Sequence, residues 1–409
     1  MKSGKNILFI SYYYPPSGEV GAKRIMFLAK YFEQCGENVH ILTTKEKYYT
    51  KFDSTLSEYG ITHRVKMIPN YPIKENNILN KFLNKIWVKI AFVEPYMGFI
   101  LPAIIKGISI IRNLNIDVLI STYPIQSNLI VGYLLKILTK KKLFFDYRDP
   151  WTIHKTRPYE SKLIKRLNIW LEKQIINKVD VFIFCTDIMR KDFLRNFGLN
   201  RELNAEVVTN GFETNNFNIK PVKFGNRKVN MIYAGNFYGA QRKLSTIAYP
   251  LSVLVKEGFI NSNNFCFHIL SEINDENIYE IEKLELKTLI QNHGVLDYKT
   301  TLSYLKASDI LLLISGTDVF YAIPFKFFDY LSVKKTIFAI APVNSAVNQI
   351  LNSINCGEFV DIKNTEDIIF KLKEIIFKKK RYNYSGIENF TWDMIGGKYS
   401  KLINRFLNE

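Results

Sequence analysis

The sequence predicts an α/β protein made of two doubly wound, parallel-sheet domains facing each other across a cleft. Three observations carry that prediction. Short apolar runs alternate with amphipathic helical patterns along the chain, and several runs are near-continuously apolar. Such strands belong to parallel sheets covered on both faces. The alternation breaks once, at a polar, Asn-rich segment from Val207 to Lys228, and then restarts. Finally, 409 residues exceed the roughly 250–300 at which a single core stops growing.

The elements follow in order. "NILFISYY" reads as the first strand. "GAKRIMFLAKYFEQCG" reads as a helix with Ile25, Leu28, Ala29 and Phe32 on one face and Gly36 as its stop. "NVHILTT" is the next strand, followed later by "IDVLISTY", the helix "QSNLIVGYLLKILT", the strand "KLFFDY", the helix "ESKLIKRLNIWLEKQIINK" and the strand "VDVFIFCT". After the polar segment come "VNMIYAG", "NFCFHIL", "DILLLIS" and "KTIFAIAP" as strands. The helices between and after them are "KLSTIAYPLSVLVKEG", "YKTTLSYLKAS", "IPFKFFDYLSV" and "TEDIIFKLKEIIF". The expected division is residues 1–210 as the first domain, 211–228 as linker and 229–388 as the second domain. Residues 389–409 form a last helix that packs back on the first domain.

Charge and cysteine content narrow the function classes. Lys and Arg number 56 against 38 Asp and Glu, a net +18. That excess suits a polyanionic partner, namely nucleic acid, an anionic membrane surface or phosphorylated substrates; an AT-rich genome enriching Lys, Asn and Ile explains it equally. No helix-turn-helix, RNP or zinc motif accompanies the charge, so nucleic acid is not expected as a partner. Cys35, Cys185, Cys266 and Cys356 stand far apart, without metal-ligand spacing. A reduced, cytoplasmic protein without structural zinc is expected. "MKSGKNILFISYYY" reads as a buried strand rather than a secretory signal. No apolar stretch is expected to reach the ~18 residues of a spanning helix. Ile86 to Ile111 comes nearest, but Lys89, Glu94, Pro95, Pro102 and Lys106 interrupt it. With Lys81, Lys85, Trp87, Phe92, Tyr96 and Phe99, and with the basic stretch from Lys136 to Lys178, it suits a peripheral surface reading anionic lipid. Core helices with snorkelling lysines are the alternative.

Four segments carry chemistry. In "PPSGEVGAKR", Gly18 and Gly21 lie between a strand and a helix, where glycine permits close backbone approach and the helix start offers N–H groups to an anion. An ordinary βα turn is the alternative; without GxGxxG, no dinucleotide cofactor is indicated. "KLFFDYRDPW" leaves an apolar strand and at once places Asp146, Arg148 and Asp149 at its carboxyl end, where open α/β sheets bind ligands. The alternative there is a self-satisfied Asp–Arg–Asp network. "GNFYGAQRKL" ends a strand with Gly235 and follows with Arg242 and Lys243, fixed cations of the kind that stabilise a departing diphosphate. In "IPFKFFDYL", Lys326 and Asp329 are helical neighbours, fit either for phosphate and ribose hydroxyls or for an intrahelical ion pair.

In this order these segments resemble the family 4 retaining glycosyltransferases, which have the GT-B fold of two Rossmann-like domains. "DYRDPWT" is similar to a segment of its bacterial cell-surface polysaccharide subgroup, and "IPFKFFDYLSVKKTIFAIAP" to the family's donor-site helix. The resemblance implies an enzyme, a hexosyltransferase, moving a sugar from a nucleotide-diphosphate sugar to a polysaccharide or lipid-linked saccharide acceptor. It implies no cofactor and no metal. It implies donor-binding roles for Gly18, Gly21, Gly235, Asn236, Arg242, Lys243, Pro324, Lys326 and Asp329. Asp149 would act on the acceptor hydroxyl or the sugar transition state, with Arg148 beside it and Asp146 supporting Arg148. The first domain would face the acceptor, and the protein would sit in the cytoplasm, peripheral to the inner face of the membrane. One departure matters: Tyr321 stands where the family often has a glutamate, with Asp318 as a substitute. That departure keeps open a degenerate, binding-only GT-B subunit. A nucleotide-sugar 2-epimerase on the same fold is the other alternative, although the five histidines sit in no epimerase-like motif.

Overall fold

The computed structural model describes residues 4–68, 80–81, 94–153, 161–199, 204–225, 227–237, 242–378 and 380–408. The chain divides into two compact units, Met1–Thr209 with Trp392–Glu409, and Asn210–Thr391.

The first unit is built on a seven-stranded sheet. Its strands are β1 (Asn6–Ile10), β2 (Asn38–Thr44), β3 (Ile61–Val65), β4 (Val118–Thr122), β5 (Lys142–Tyr147), β6 (Val181–Phe184) and β7 (Ala205–Val207). They run in the order β3-β2-β1-β4-β5-β6-β7, every neighbouring pair parallel. The helices are α1 (Val20–Gln34), α2 (Ile100–Asn113), α3 (Gln126–Thr139), α4 (Lys162–Ile176) and α5 (Asp187–Phe197). Strand order reverses between β1 and β4, so the loops after these strands open at a topological switch point. Gly18 and Gly21 follow β1, and Arg148 and Asp149 follow β5.

The second unit repeats the plan with six strands, all parallel, in the order β10-β9-β8-β11-β12-β13. They are β8 (Val229–Ala234), β9 (Phe265–Leu270), β10 (Ile290–Asn292), β11 (Ile310–Ile314), β12 (Thr336–Ala341) and β13 (Gly357–Asp361). Its helices are α6 (Ser245–Lys256), α7 (Asp275–Lys283), α8 (Tyr298–Ala307), α9 (Phe325–Val333), α10 (Ala346–Ile354) and α11 (Thr365–Phe377). Alternation along the strands feeds a core on each face. Met231, Phe267, Leu312 and Phe338 belong to one, and Ile232, Leu311, Phe327 and Phe328 to the other. A buried phenylalanine of this kind contributes roughly 1.5–3 kcal/mol. Gly235 follows β8, and Lys326 opens α9 after β11.

The last helix, α12 (Trp392–Asn408), belongs to the first unit. Trp392 stacks on Phe27 of α1 at 5.1 Å, and Phe406 meets Phe144 of β5 edge-on at 5.9 Å. The expected linker needs correction. The chain passes between units at Thr209–Asn210 and Thr391–Trp392, and residues 211–225 are packed onto the second unit. Phe212 is fully buried, Asn216 is buried, and the Phe212 N–H donates to the Phe390 carbonyl at 2.9 Å.

The expected limit on apolar length is also corrected. Pro95–Asn113 spans 19 residues at a mean hydropathy of 1.3, long and apolar enough to cross a membrane by length and composition. Here α2 covers the first sheet, with Ala103, Gly107, Ile110 and Ile111 buried. Gly107 admits α3 closely, since a Cβ there would meet Leu135 Cδ1 at 2.7 Å. Leu101 and Ile105 remain exposed on the other face. Of the aromatics expected on a peripheral surface, Phe99 is fully buried and Tyr96 packs on Tyr12 at 4.7 Å. Lys85, Trp87, Lys89 and Phe92 lie outside the described residues.

Candidate active site

In the first unit the three charges of "DYRDP" go separate ways. Asp146 is fully buried inside β5, and its partner is Arg24 of α1, not Arg148. Arg24 Nε and Nη2 donate to the two carboxylate oxygens at 2.8 and 2.9 Å. The same guanidinium donates to the carbonyls of Val208 and Thr209 and to the Tyr399 hydroxyl, each at 2.9 Å. The carboxylate of Asp146 holds Arg24 well above the usual arginine range, although burial opposes it. This is a closed network tying β5, α1, α12 and the exit to the second unit.

Arg148 is half-buried and donates through Nε to the Tyr123 carbonyl at 2.7 Å. Its two terminal nitrogens have no hydrogen-bond partner among the described residues and lie over Gly21. A Cβ on Gly21 would sit 3.4 Å from Nη2 and 3.9 Å from Nη1. Glycine therefore leaves room for a bidentate guanidinium at the first turn of α1, whose N-cap, Glu19, makes no side-chain capping bond. Gly18 serves the loop instead, its N–H donating to Lys51 O at 3.0 Å. Asp149 is half-buried, with no hydrogen bond or ion pair among the described residues. The self-satisfied Asp–Arg–Asp network does not form; among the described residues the terminal nitrogens of Arg148 and the carboxylate of Asp149 have no hydrogen-bond partner.

In the second unit the feature of interest is Lys326. Its Nζ is buried and has no hydrogen-bond partner among the described residues. It lies 3.7 Å from the centroid of the Tyr233 ring, a cation–π contact. Burial and the neighbouring Arg242 guanidinium push this ammonium well below the usual lysine range. Gly235 has φ +137°, and a Cβ there would approach Lys326 Nζ to 3.1 Å. A side chain at 235 would thus be strained in backbone and would crowd the ammonium. The surroundings are fixed by Tyr330, whose hydroxyl donates to Leu312 O at 3.0 Å and accepts from the Ala234 N–H at 3.1 Å. Tyr233 is held by stacking on Phe237 and by donating to Asn236 O at 3.1 Å. Ala234 pairs with Leu270, so the next residues, Gly235 and Ser271, leave β8 and β9 side by side. Ser271 Oγ is a second buried polar atom without a hydrogen-bond partner among the described residues.

The other donor-site expectations divide. Pro324 is the N-cap of α9, two residues before Lys326. Arg242 acts electrostatically on Lys326. Lys243 is exposed and acts on Glu280; both basic residues border a cavity of about 370 Å³ with Phe237, Glu276 and Lys283. Asp329 forms no ion pair with Lys326 and is not open to a ribose. It is buried, and its Oδ1 accepts the Tyr298 hydroxyl of α8 at 2.8 Å. Asp318 is exposed and Tyr321 half-buried.

Arg24, Tyr399, Tyr123, Tyr233, Asn168 and Glu172 were not singled out from the sequence. Arg24 ends "PPSGEVGAKR" and Tyr233 lies in the strand before Gly235, but only a tertiary partner reveals what each of the six does. Histidines pair with each other. His63 Nε2 lies 3.3 Å from His40 Nδ1, and His268 Nδ1 lies 3.0 Å from His293 Nε2. Burial pushes His63 and His268 down to about 4. His154 lies outside the described residues.

Comparison with known proteins agrees with this architecture. Residues 21–216 match the model of Glycosyltransferase Family 4. No curated protein matches the chain. Among solved structures, sucrose-phosphate synthase from Thermosynechococcus elongatus superposes with a TM-score of 0.72 at 13% identity, covering 99% of each chain. The lipopolysaccharide outer core galactosyltransferase WaaB, in its apo form, gives 0.62 at 13% identity over 98% of this chain and 99% of its own. UDP-GlcNAc 2-epimerase from Methanocaldococcus jannaschii gives 0.55 at 12% identity over 98% and 99%. At these identities the likeness is one of fold.

Proposed function

We propose that this chain, a glycosyltransferase family 4 member of GT-B fold by the match of its first domain, moves a sugar from a nucleotide-diphosphate sugar to a lipid-linked or polysaccharide acceptor in cell-surface glycan synthesis. The observation that carries the reading is the buried ammonium of Lys326, which has no hydrogen-bond partner among the described residues and stands beside Gly235 and Arg242. A buried cation without a counter-charge is costly, and a bound anion removes that cost. The anion assigned to it is the donor diphosphate. When the bond from the anomeric carbon to the phosphate oxygen breaks, its electron pair stays on the diphosphate. Lys326 and Arg242 stabilise that charge.

The acceptor role is assigned to the first unit. Asp149 accepts the hydrogen bond of the acceptor hydroxyl and takes its proton as the new C–O bond forms. Arg148, whose terminal nitrogens lie over Gly21 with no hydrogen-bond partner among the described residues, holds a phosphate bidentately. Transfer is assigned as retaining and independent of metal, in keeping with the family. For location we propose the cytoplasmic face of an anionic membrane. On α4, Leu163, Leu167 and Trp170 are exposed, and Lys162, Arg166 and Lys173 flank them on one side.

The test is turnover of UDP-, GDP- and ADP-hexoses with bacterial lipid extract, followed by the anomeric configuration of the product. Asp149→Asn is expected to lose about 10²–10⁴-fold in rate with its melting temperature unchanged. Near-normal turnover would remove Asp149 from the mechanism, and turnover of none of the donors would favour a binding-only subunit. Binding to anionic liposomes should weaken as salt rises; no binding at low salt would count against the membrane assignment.

A further inference from the structure

Asp149 has no partner of its own among the described residues, so its place depends on how the segment around it is held. That segment is pinned from one helix. Glu172 and Asn168 lie one turn apart on the inward face of α4, and both are fully buried. Glu172 Oε1 accepts the Tyr147 hydroxyl. Its Oε2 accepts the Thr152 N–H at 3.1 Å and the Thr152 hydroxyl. Asn168 Oδ1 accepts the Trp151 indole N–H at 3.1 Å, while its Nδ2 donates to Ile164 O at 2.9 Å, which orients the amide. Residues 148–150 are therefore bracketed by Tyr147 on one side and by Trp151 and Thr152 on the other. The bracket reaches Arg148 as well. The Tyr147 ring stacks on Tyr123 at 5.6 Å and 13°, and the Tyr123 carbonyl accepts from Arg148 Nε.

We infer that Glu172 and Asn168 are positioning residues that clamp the Arg148–Asp149 segment in its reactive place. The inference rests on the proposed role of Asp149. A core position on α4 is filled at lower cost by leucine than by a buried carboxylate, which burial pushes up to about 7. What leucine cannot supply is three acceptor contacts to two points of one loop. Glutamate and asparagine fix the loop by direction as well as by contact, and a displacement near 1 Å at a reacting group costs on the order of 10²-fold in rate.

The experiment has two arms and uses the full chain with Glu172→Leu, Glu172→Gln and Asn168→Leu. The first follows amide hydrogen exchange in peptides covering residues 147–153, with no substrate present. The inference expects Thr152 exchange to rise at least tenfold in Glu172→Leu and less in Glu172→Gln, with β1 and β4 peptides unchanged. The second measures nucleoside diphosphate release from UDP-, GDP- and ADP-hexoses with water as acceptor. Glu172→Leu should lower kcat about 10²-fold with the donor KM within twofold, and Glu172→Gln should recover part of that loss. Should Glu172→Leu not fold, Glu172→Gln and Asn168→Leu carry both arms. Unchanged exchange at Thr152, or wild-type kcat despite raised exchange, overturns the inference. Normal turnover in Asp149→Asn instead overturns the proposed role of Asp149, whatever the exchange arm shows.

Discussion

Two buried cations, one in each unit, receive opposite treatment. Arg24 in the first unit is fully buried and paired with both oxygens of Asp146, two carbonyls and a tyrosine hydroxyl. Lys326 in the second unit has its ammonium equally enclosed, yet among the described residues it has no hydrogen-bond partner and lies against the face of Tyr233. A buried charge with its complement complete is a structural joint. A buried charge without a hydrogen-bond partner retains much of its desolvation cost until an anion binds. Ligand is expected not at the densest cluster of charge but at the buried charge that lacks a hydrogen-bond partner among the described residues.

The contrast breaks most readily at Arg24. Arg24→Met leaves Asp146 buried without its cation and is expected to cost about 3–5 kcal/mol, read by chemical denaturation. The double variant Arg24→Met/Asp146→Leu should recover most of that loss. Lys326→Met is expected to do the reverse. It should leave the melting temperature unchanged or raised, while nucleoside diphosphate affinity falls about 10–100-fold, the value of one hydrogen bond to a charged group. A large loss of stability in Lys326→Met would make the two cations alike and remove the contrast.

Protonation sharpens it further. Lys326 is held well below its unfolded value of 10.5 by burial and Arg242. Between its lowered value and 10.5 the folded state binds fewer protons than the unfolded state, so stability rises with pH across that window. A bound diphosphate reverses the shift, so affinity should fall as pH rises and binding should take up protons. Calorimetry in two buffers of different ionisation enthalpy reads that uptake, and Lys326→Met should abolish it. The smallest effect belongs to the histidine pairs. His63 and His268 are pushed from 6.5 to about 4. The unfolded chain therefore takes up protons first as pH falls below 6.5, and melting temperature should decline between there and about 4. Replacing His63 and His268 by glutamine should flatten that decline.

Much of the fold is legible in the sequence because strands buried on both faces read as unbroken apolar runs. "KLFFDY" and "DILLLIS" coincide with β5 and β11 almost residue for residue. β3 and β13 escape notice, since "ITHRV" and "GEFVD" are edge strands of mixed character, partly exposed. The polar segment from Val207 to Lys228 reads as a tether because its composition is that of a loop. Phe212, buried against the second unit, is what decides otherwise.

The site is less legible for a different reason. Sequence proximity assigns Asp146 to Arg148, two residues away; the fold gives it to Arg24, which lies 122 positions earlier at the end of "PPSGEVGAKR". The same logic pairs Lys326 with Asp329, whereas Asp329 turns to Tyr298. Lys326 and Gly235 were legible as motif residues. That the ammonium stands over Tyr233 without an acceptor among the described residues is a property of the tertiary structure alone.

The most direct test of the central claim is calorimetric titration of the wild-type protein and Lys326→Met with UDP, GDP and ADP at neutral pH. The proposed role of Lys326 requires that one of the three binds the wild type and that Lys326→Met, folded and equally stable, binds it about 10–100-fold more weakly. Equal affinity in the two proteins, or no binding of any nucleotide to the wild type, would contradict it.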